Sequence, residues 1–183
     1  MNKQSLFLAT LLLLSAPGFV SSEVLICTAN DWTQVAQSAQ EGKAPIIILY
    51  TSSECPYCER LKEEVLRPMF RNDPNSQLAV VREVDINKGG KMTDFDGERI
   101  RSRHFKKRYK VYAAPTLLIL DVSGTPLNKP LVGYNSKEQY TPMLESALEK
   151  SRSLIKMPSS LPGYHKPGTS PGQISHTSTA SVP

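Results

Sequence analysis

The chain has 183 residues, 39% hydrophobic and 21% charged, enough for one globular core with terminal excess and unlike a wholly disordered protein. A formal net charge of +5 and a pI near 9.1 suit acidic protein partners or anionic surfaces, but are too weak to argue nucleic-acid binding. Three cysteines are too few to staple a small fold, and their odd number directs attention to thiol chemistry.

In chain order, Lys3 precedes an apolar run from Leu6 to Leu14 broken only by Thr10, then Ala16-Pro17-Gly18 and the small-residue site Val20-Ser21-Ser22. The run is far shorter than the roughly 20 residues needed to span a bilayer. Residues 1–22 therefore read as a cleavable secretory leader, with an uncleaved anchor as the alternative. Leu25 and Ile26 before Cys27 do not suit a lipoprotein signal. Export places the cysteines where disulfides persist, in the periplasm or outside the cell, with no stable membrane insertion once the leader is removed.

The folded domain is expected over residues 23–157. Asp31 is a good N-cap for a helix carrying Trp32, Val35, Ala36 and Ala39 at helical spacing and closed by Gly42. Ile46 to Thr51 is a continuous apolar and β-branched run, as in a strand buried on both faces. The turn Ser52-Ser53-Glu54 leads to Cys55-Pro56-Tyr57-Cys58 and a helix with the stripe Leu61, Val65, Met69, which Pro68 should kink or end.

Residues 78–85 alternate as a strand, 87–97 read as a loop, and 98–109 as a basic helix. Residues 116–121 form another apolar strand, Ser123-Gly124 a hairpin turn, and Leu131-Val132-Gly133 a returning strand. Ser136 to Gln139 is a capping box for a last helix turning Tyr140, Met143, Leu144, Ala147 and Leu148 inward; Pro142 predicts a late start or a local bend. Residues 158–183, rich in Pro, Ser, Thr and Gly, cannot offset their ordering entropy and should be a disordered tail. This order predicts an α/β domain: a central mixed β-sheet flanked by helices on both faces.

Thiol–disulfide exchange needs a thiolate attacker and a second thiol close enough to release the mixed disulfide. On the first turn of a helix, Cys55 meets unpaired backbone N–H groups and the positive end of the dipole, which favour its thiolate, and Cys58 follows one turn later. Pro56 suits the first helical position because its missing N–H costs no helix bond there. These considerations make Cys55 the nucleophile and Cys58 the buried resolving thiol. A zinc site would need a second half, for which only Cys27, His104, His165 and His176 remain. A purely structural disulfide across so short a loop gains little.

The run from Ile46 through Cys58 resembles the active-site strand and helix of thioredoxin-fold proteins. Phe105 to Leu118, containing Ala113-Ala114-Pro115-Thr116, resembles that family's segment ending in a cis-proline. The similarity covers roughly residues 31–150, and within the family it looks nearest to secreted periplasmic thioredoxin-like proteins, including those associated with sulfur oxidation or cytochrome maturation. It implies a thioredoxin fold; no cofactor or metal is expected, and the protein is expected to act as a monomer. Pro115 would be cis beside the cysteines, Ala114 would offer its backbone to a substrate peptide, and Pro56 and Tyr57 would line the substrate surface. Without the resemblance, Pro115 reads as a residue that starts a strand, and Tyr57 as an exposed aromatic.

Two departures qualify this. Thioredoxins usually place a buried acid six residues before the first cysteine, where this chain has Leu49. Another group, Glu54 or a water, would then relay the proton, although Glu54 reads better as a solubilising charge. Pro56-Tyr57 matches glutaredoxins, but their glutathione-holding residues around the proline and the following Gly-Gly are missing.

Cys27 is expected as an inert core thiol in a first strand, with pairing between chains or redox sensing as alternatives. Trp32 should anchor the first helix to the core. Arg99, Arg101, Arg103, Lys106, Lys107, Arg108 and Lys110 read as one solvated helix face, with His104 at the surface, and electrostatic docking of an acidic partner is the other reading. The leading expectation is a reductant passing electrons from an upstream thiol donor to a disulfide-containing protein. An oxidant or isomerase shares the same chemistry, and a copper-binding module using both cysteines is the alternative from another class.

Overall fold

The computed structural model describes residues 26–71, 73 and 77–156; the expected leader and tail lie outside them. The elements are α1 (Trp32–Gly42), β1 (Ile46–Thr51), α2 (Pro56–Leu61), a π-helical turn (Lys62–Leu66), α3 (Arg67–Phe70), β2 (Val80–Asp85), β3 (Lys91–Thr93), β4 (Arg99–Arg101), α4 (Ser102–Arg108), β5 (Thr116–Leu120), β6 (Leu131–Val132) and α5 (Lys137–Lys156). The main sheet runs β2-β1-β5-β6. β1 is parallel to β2 and antiparallel to β5, and β6 is antiparallel to β5. This is the mixed sheet expected.

Side chains alternate across a strand, and β1 serves both faces. Ile47 and Leu49 join Leu61, Val65, Leu66, Phe70, Tyr140, Leu144 and Leu148 under the helices after the cysteine pair and at the C-terminal end. Ile46, Ile48 and Tyr50 join Trp32, Val35, Ala39, Phe105 and Tyr109 of α1 and its surroundings. With a helical layer on each face, every residue of β1 is buried, and the sequence needs an unbroken apolar run there. Trp32 is fully buried and stacks on Phe105 with ring centroids 5.0 Å apart, anchoring α1 as expected.

Several expectations are corrected. Asp31 caps α1, accepting from Thr33 N and Gln34 N, but Lys43 rather than Gly42 takes the left-handed C-cap conformation, at φ 50°. The helix after the cysteines is not ended by Pro68. It continues from 56 to 70, because the π-helical turn before the proline shifts the hydrogen-bond ladder by one residue. Pro142 lies within α5, which starts at Lys137 without delay. Met143 is 50% exposed: the buried row of α5 is Tyr140, Leu144, Leu148 and Ser151, and Met143 falls beside it.

The basic stretch is not one helix. β3 and β4 form a separate antiparallel hairpin, and α4 begins only at Ser102. Strands of three residues are too short to display their alternation in sequence. Met92 and Ile100, opposite each other in its two strands, pack against the core, as does Phe95 in the loop between them.

Cys27 is exposed. Its segment joins the outer edge of β2 through Glu83 N donating to Cys27 O at 3.0 Å and Ala29 N donating to Glu83 O at 3.2 Å. A single bridge at a sheet edge buries Ile26 and Ala29 and leaves the intervening thiol outside.

Candidate active site

The site lies where β1 ends and α2 begins. Thr51 O accepts from Ile86 N at 2.8 Å, Ser53 Oγ donates to Asp85 Oδ2 at 2.8 Å, and Asn87 Nδ2 donates to Ser52 Oγ at 2.8 Å. The loop after β2 thus holds the turn that presents the cysteines. The backbone N–H of Asn87 and the Ser53 hydroxyl together keep the Asp85 carboxyl below the usual carboxylate range, so it accepts these bonds as an anion at neutral pH. Glu54, directly before Cys55, is exposed and has φ 65°, a conformation uncommon for a residue with a side chain.

Cys55 is the N-cap of α2, and Pro56 occupies its first turn. Cys55 and Cys58 form a disulfide with Cα atoms 5.2 Å apart, and Cys58 N donates to Cys55 Sγ at 3.2 Å. Cys58 is fully buried, Cys55 partly exposed and Pro56 exposed, and Tyr57 54% exposed. One sulfur is therefore reachable and the other sealed beneath the helix.

The Ala114–Pro115 bond is cis, with Pro115 buried and Ala114 half-buried. Gly133 N donates to Pro115 O at 2.8 Å, and the next residue, Tyr134, donates its hydroxyl to Glu64 on the cysteine-bearing helix. The Arg60 guanidinium lies 5.5 Å from the Tyr134 ring centroid. Burial, then the Glu64 carboxylate, push the Tyr134 hydroxyl up to about 12. The proline segment and the helix are tied together by this contact, which sequence reasoning missed: its partners lie 70 residues apart with no local signal.

A second missed group lies on the same helix. Lys62 Nζ is 2.7 Å from Glu59 Oε1 and 3.2 Å from Glu83 Oε2, with only 12% of its side chain exposed. Burial alone would lower the Lys62 pKa, but the hydrogen bonds and charges of Glu59 and Glu83 outweigh it and raise it. Leu49, six residues before Cys55, is fully buried.

A disulfide closed across the first turn of a helix, with one face open to attack, defines a redox protein: this chain is a thiol–disulfide oxidoreductase. It belongs to the thioredoxin-like domain family, which it matches over residues 33–148. Among curated proteins it is similar to the disulfide bond reductase DsbH of Chlamydia pneumoniae, at 26% identity over 130 residues covering 68% of this chain and 76% of that protein. Among solved structures, the putative disulphide-isomerase of Bacteroides thetaiotaomicron has a TM-score of 0.50 at 20% identity, covering 69% of this chain and 95% of that one. A structure described as DsbH oxidoreductase has a TM-score of 0.46 at 16% identity, covering 74% and 92%. The Bacteroides structure supports the shared thioredoxin fold.

Proposed function

We propose that the protein is exported and works in the periplasm or outside the cell as a reductant of disulfides in partner proteins. Cys55 is the nucleophile, Cys58 the resolving thiol, and the substrate chain lies along Pro56, Tyr57, Ala114 and Pro115. The observation that carries the reading is the asymmetry of the pair: Cys55 caps a helix and is partly exposed, whereas Cys58 is sealed.

In the reduced protein, the Cys55 sulfur faces the unpaired N–H groups of the helix start, which favour the thiolate. That thiolate attacks one sulfur of a substrate disulfide, forming a mixed disulfide and expelling the other sulfur as a thiolate that takes up a proton. Cys58, deprotonated, then attacks Cys55 Sγ. The Cys55–Cys58 disulfide forms and the second substrate sulfur leaves. Two electrons pass to the substrate, and an upstream dithiol donor restores the pair by the reverse exchange.

The test is trapping. Cys58→Ser should accumulate a mixed disulfide through Cys55, identifiable by non-reducing electrophoresis and mass spectrometry, whereas Cys55→Ser should accumulate none. Capture through Cys58 instead would reverse the assignment. A reduction potential near about −270 mV supports a reductant, and one near about −120 mV overturns that direction.

A further inference from the structure

We propose that the β3–β4 hairpin, α4 and the segment leading to Pro115 form one electropositive docking face for an acidic surface of the protein whose disulfide is exchanged. The inference deepens the function proposed above and rests on it. Residues 88–110 carry nine Lys and Arg and three Asp and Glu, a net of +6, while the whole chain carries +5, so the remainder nets −1. The basic character of this protein belongs to a single segment.

Little within the fold neutralises that charge. Among the described residues, Arg108 alone of the nine forms an ion pair, with the buried Asp94. Lys106 gives its ammonium to Ile86 O at 2.9 Å. Lys88, Lys91, Arg99, Arg101, Arg103, Lys107 and Lys110 are exposed, as are the segment's two other acids, Asp96 and Glu98. A solvated helix face does not describe this set, which comes from a loop, two strands and a helix.

The arrangement also costs stability. Lys91 stands opposite Arg101 in the antiparallel ladder, and like charges in that position repel. Arg103 and Lys107 stand four apart on α4, where like charges repel again. An acidic partner would relieve both repulsions at once.

The face is fixed in relation to the cysteines. Ser102 N donates to Gly90 O at 3.1 Å and Ser102 Oγ to Lys88 O at 3.0 Å, joining the loop to α4. Lys106 holds Ile86, whose N–H binds Thr51 at the active-site turn. At the other end, Lys110 continues through Tyr112, 81% exposed, to Ala114 and Pro115. This continuity with the reactive end favours a protein substrate over an anionic membrane. Charge on such a rim acts mainly on the association rate.

The test uses two synthetic peptides closed by the same disulfide ring, one preceded by a run of glutamates and the other by serines. The reduced protein should react about tenfold or more faster with the acidic peptide at low ionic strength, and the advantage should shrink in about 0.15 M salt. The variant Lys91→Gln/Arg99→Gln/Arg101→Gln/Lys107→Gln should bring the acidic-to-serine rate ratio close to one; circular dichroism checks its fold. A wild-type ratio near one, with both peptides reduced, overturns the docking face and leaves the exchange reaction standing. Failure to reduce either peptide overturns the exchange reading and this inference with it. A wild-type ratio near one together with binding to phosphatidylglycerol vesicles that the variant loses would reassign the face to lipid.

Discussion

Replacing Lys62 by methionine isolates the polar tie between the cysteine-bearing helix and β2. The ammonium of Lys62, whose side chain is 12% exposed, is shared by Glu59 at 2.7 Å and Glu83 at 3.2 Å. Glu59 is 63% exposed and will rehydrate, whereas Glu83 is 21% exposed and would keep the longer contact from Thr28 Oγ1, at 3.4 Å. A hydrogen bond between charged groups contributes about 1.5–3 kcal/mol, and methionine returns part of that through apolar packing, leaving a net loss of about 1–2 kcal/mol. For a domain of this size that lowers Tm by roughly 3–8 °C. Urea titration of Lys62→Met, Glu83→Leu and the double variant should give a coupling of about 1 kcal/mol, because removing both partners leaves no unpaired charge. The sign with pH follows from the raised Lys62 pKa: its contribution is complete below the ordinary lysine value of 10.5 and is lost as pH rises through the folded-state value. The effect of Lys62→Met should therefore be equally large at pH 7 and pH 9. Additive single-variant losses, or an effect that fades between those two pH values, would refute the tie.

Two further predictions concern the frame around the site. Gly124 has φ 81°, and a Cβ there would lie 2.4 Å from the Phe95 ring, so Gly124→Ala should destabilise by about 2 kcal/mol or more in thermal and urea unfolding. On α5, Leu144→Ala should cost about 2–5 kcal/mol because Leu144 is fully buried. Met143→Ala, one residue earlier but half exposed, should cost under about 0.5 kcal/mol. Equal losses from the two would mean that the helix is rotated from the orientation described.

What the sequence disclosed followed the range of the interactions involved. The Asp31 cap, the apolar strand before the cysteines and the Cys-x-x-Cys spacing are signals within a few residues, and each could be read directly. Met143 failed because helical periodicity defines a stripe without fixing its edges; packing against Tyr140, Leu144 and Leu148 set the rotation. The hairpin of Lys91–Thr93 and Arg99–Arg101 failed because each strand has one apolar residue, too little for a period. The contact of Tyr134 with Glu64 and that of Lys62 with Glu83 span 70 and 21 residues, and no single-chain pattern announces them.

The departure at Leu49 acquires a physical meaning only through the sheet. Leu49 stands opposite Glu83 in the parallel ladder, so their side chains share the face covered by the cysteine-bearing helix. That face does contain a carboxylate, placed one strand over and bound to a cation. Lys62 lies one helical turn after Cys58, and its contact with Glu59, three residues back, shows its stem directed toward the N-terminal end of the helix. β1, with no charged residue, is therefore buried throughout, while the charge beneath the helix is held as an ion pair between helix and sheet. Leu49 in β1 and the Lys62–Glu83 pair one strand over thus occupy this face, a different arrangement from a lone buried acid in β1.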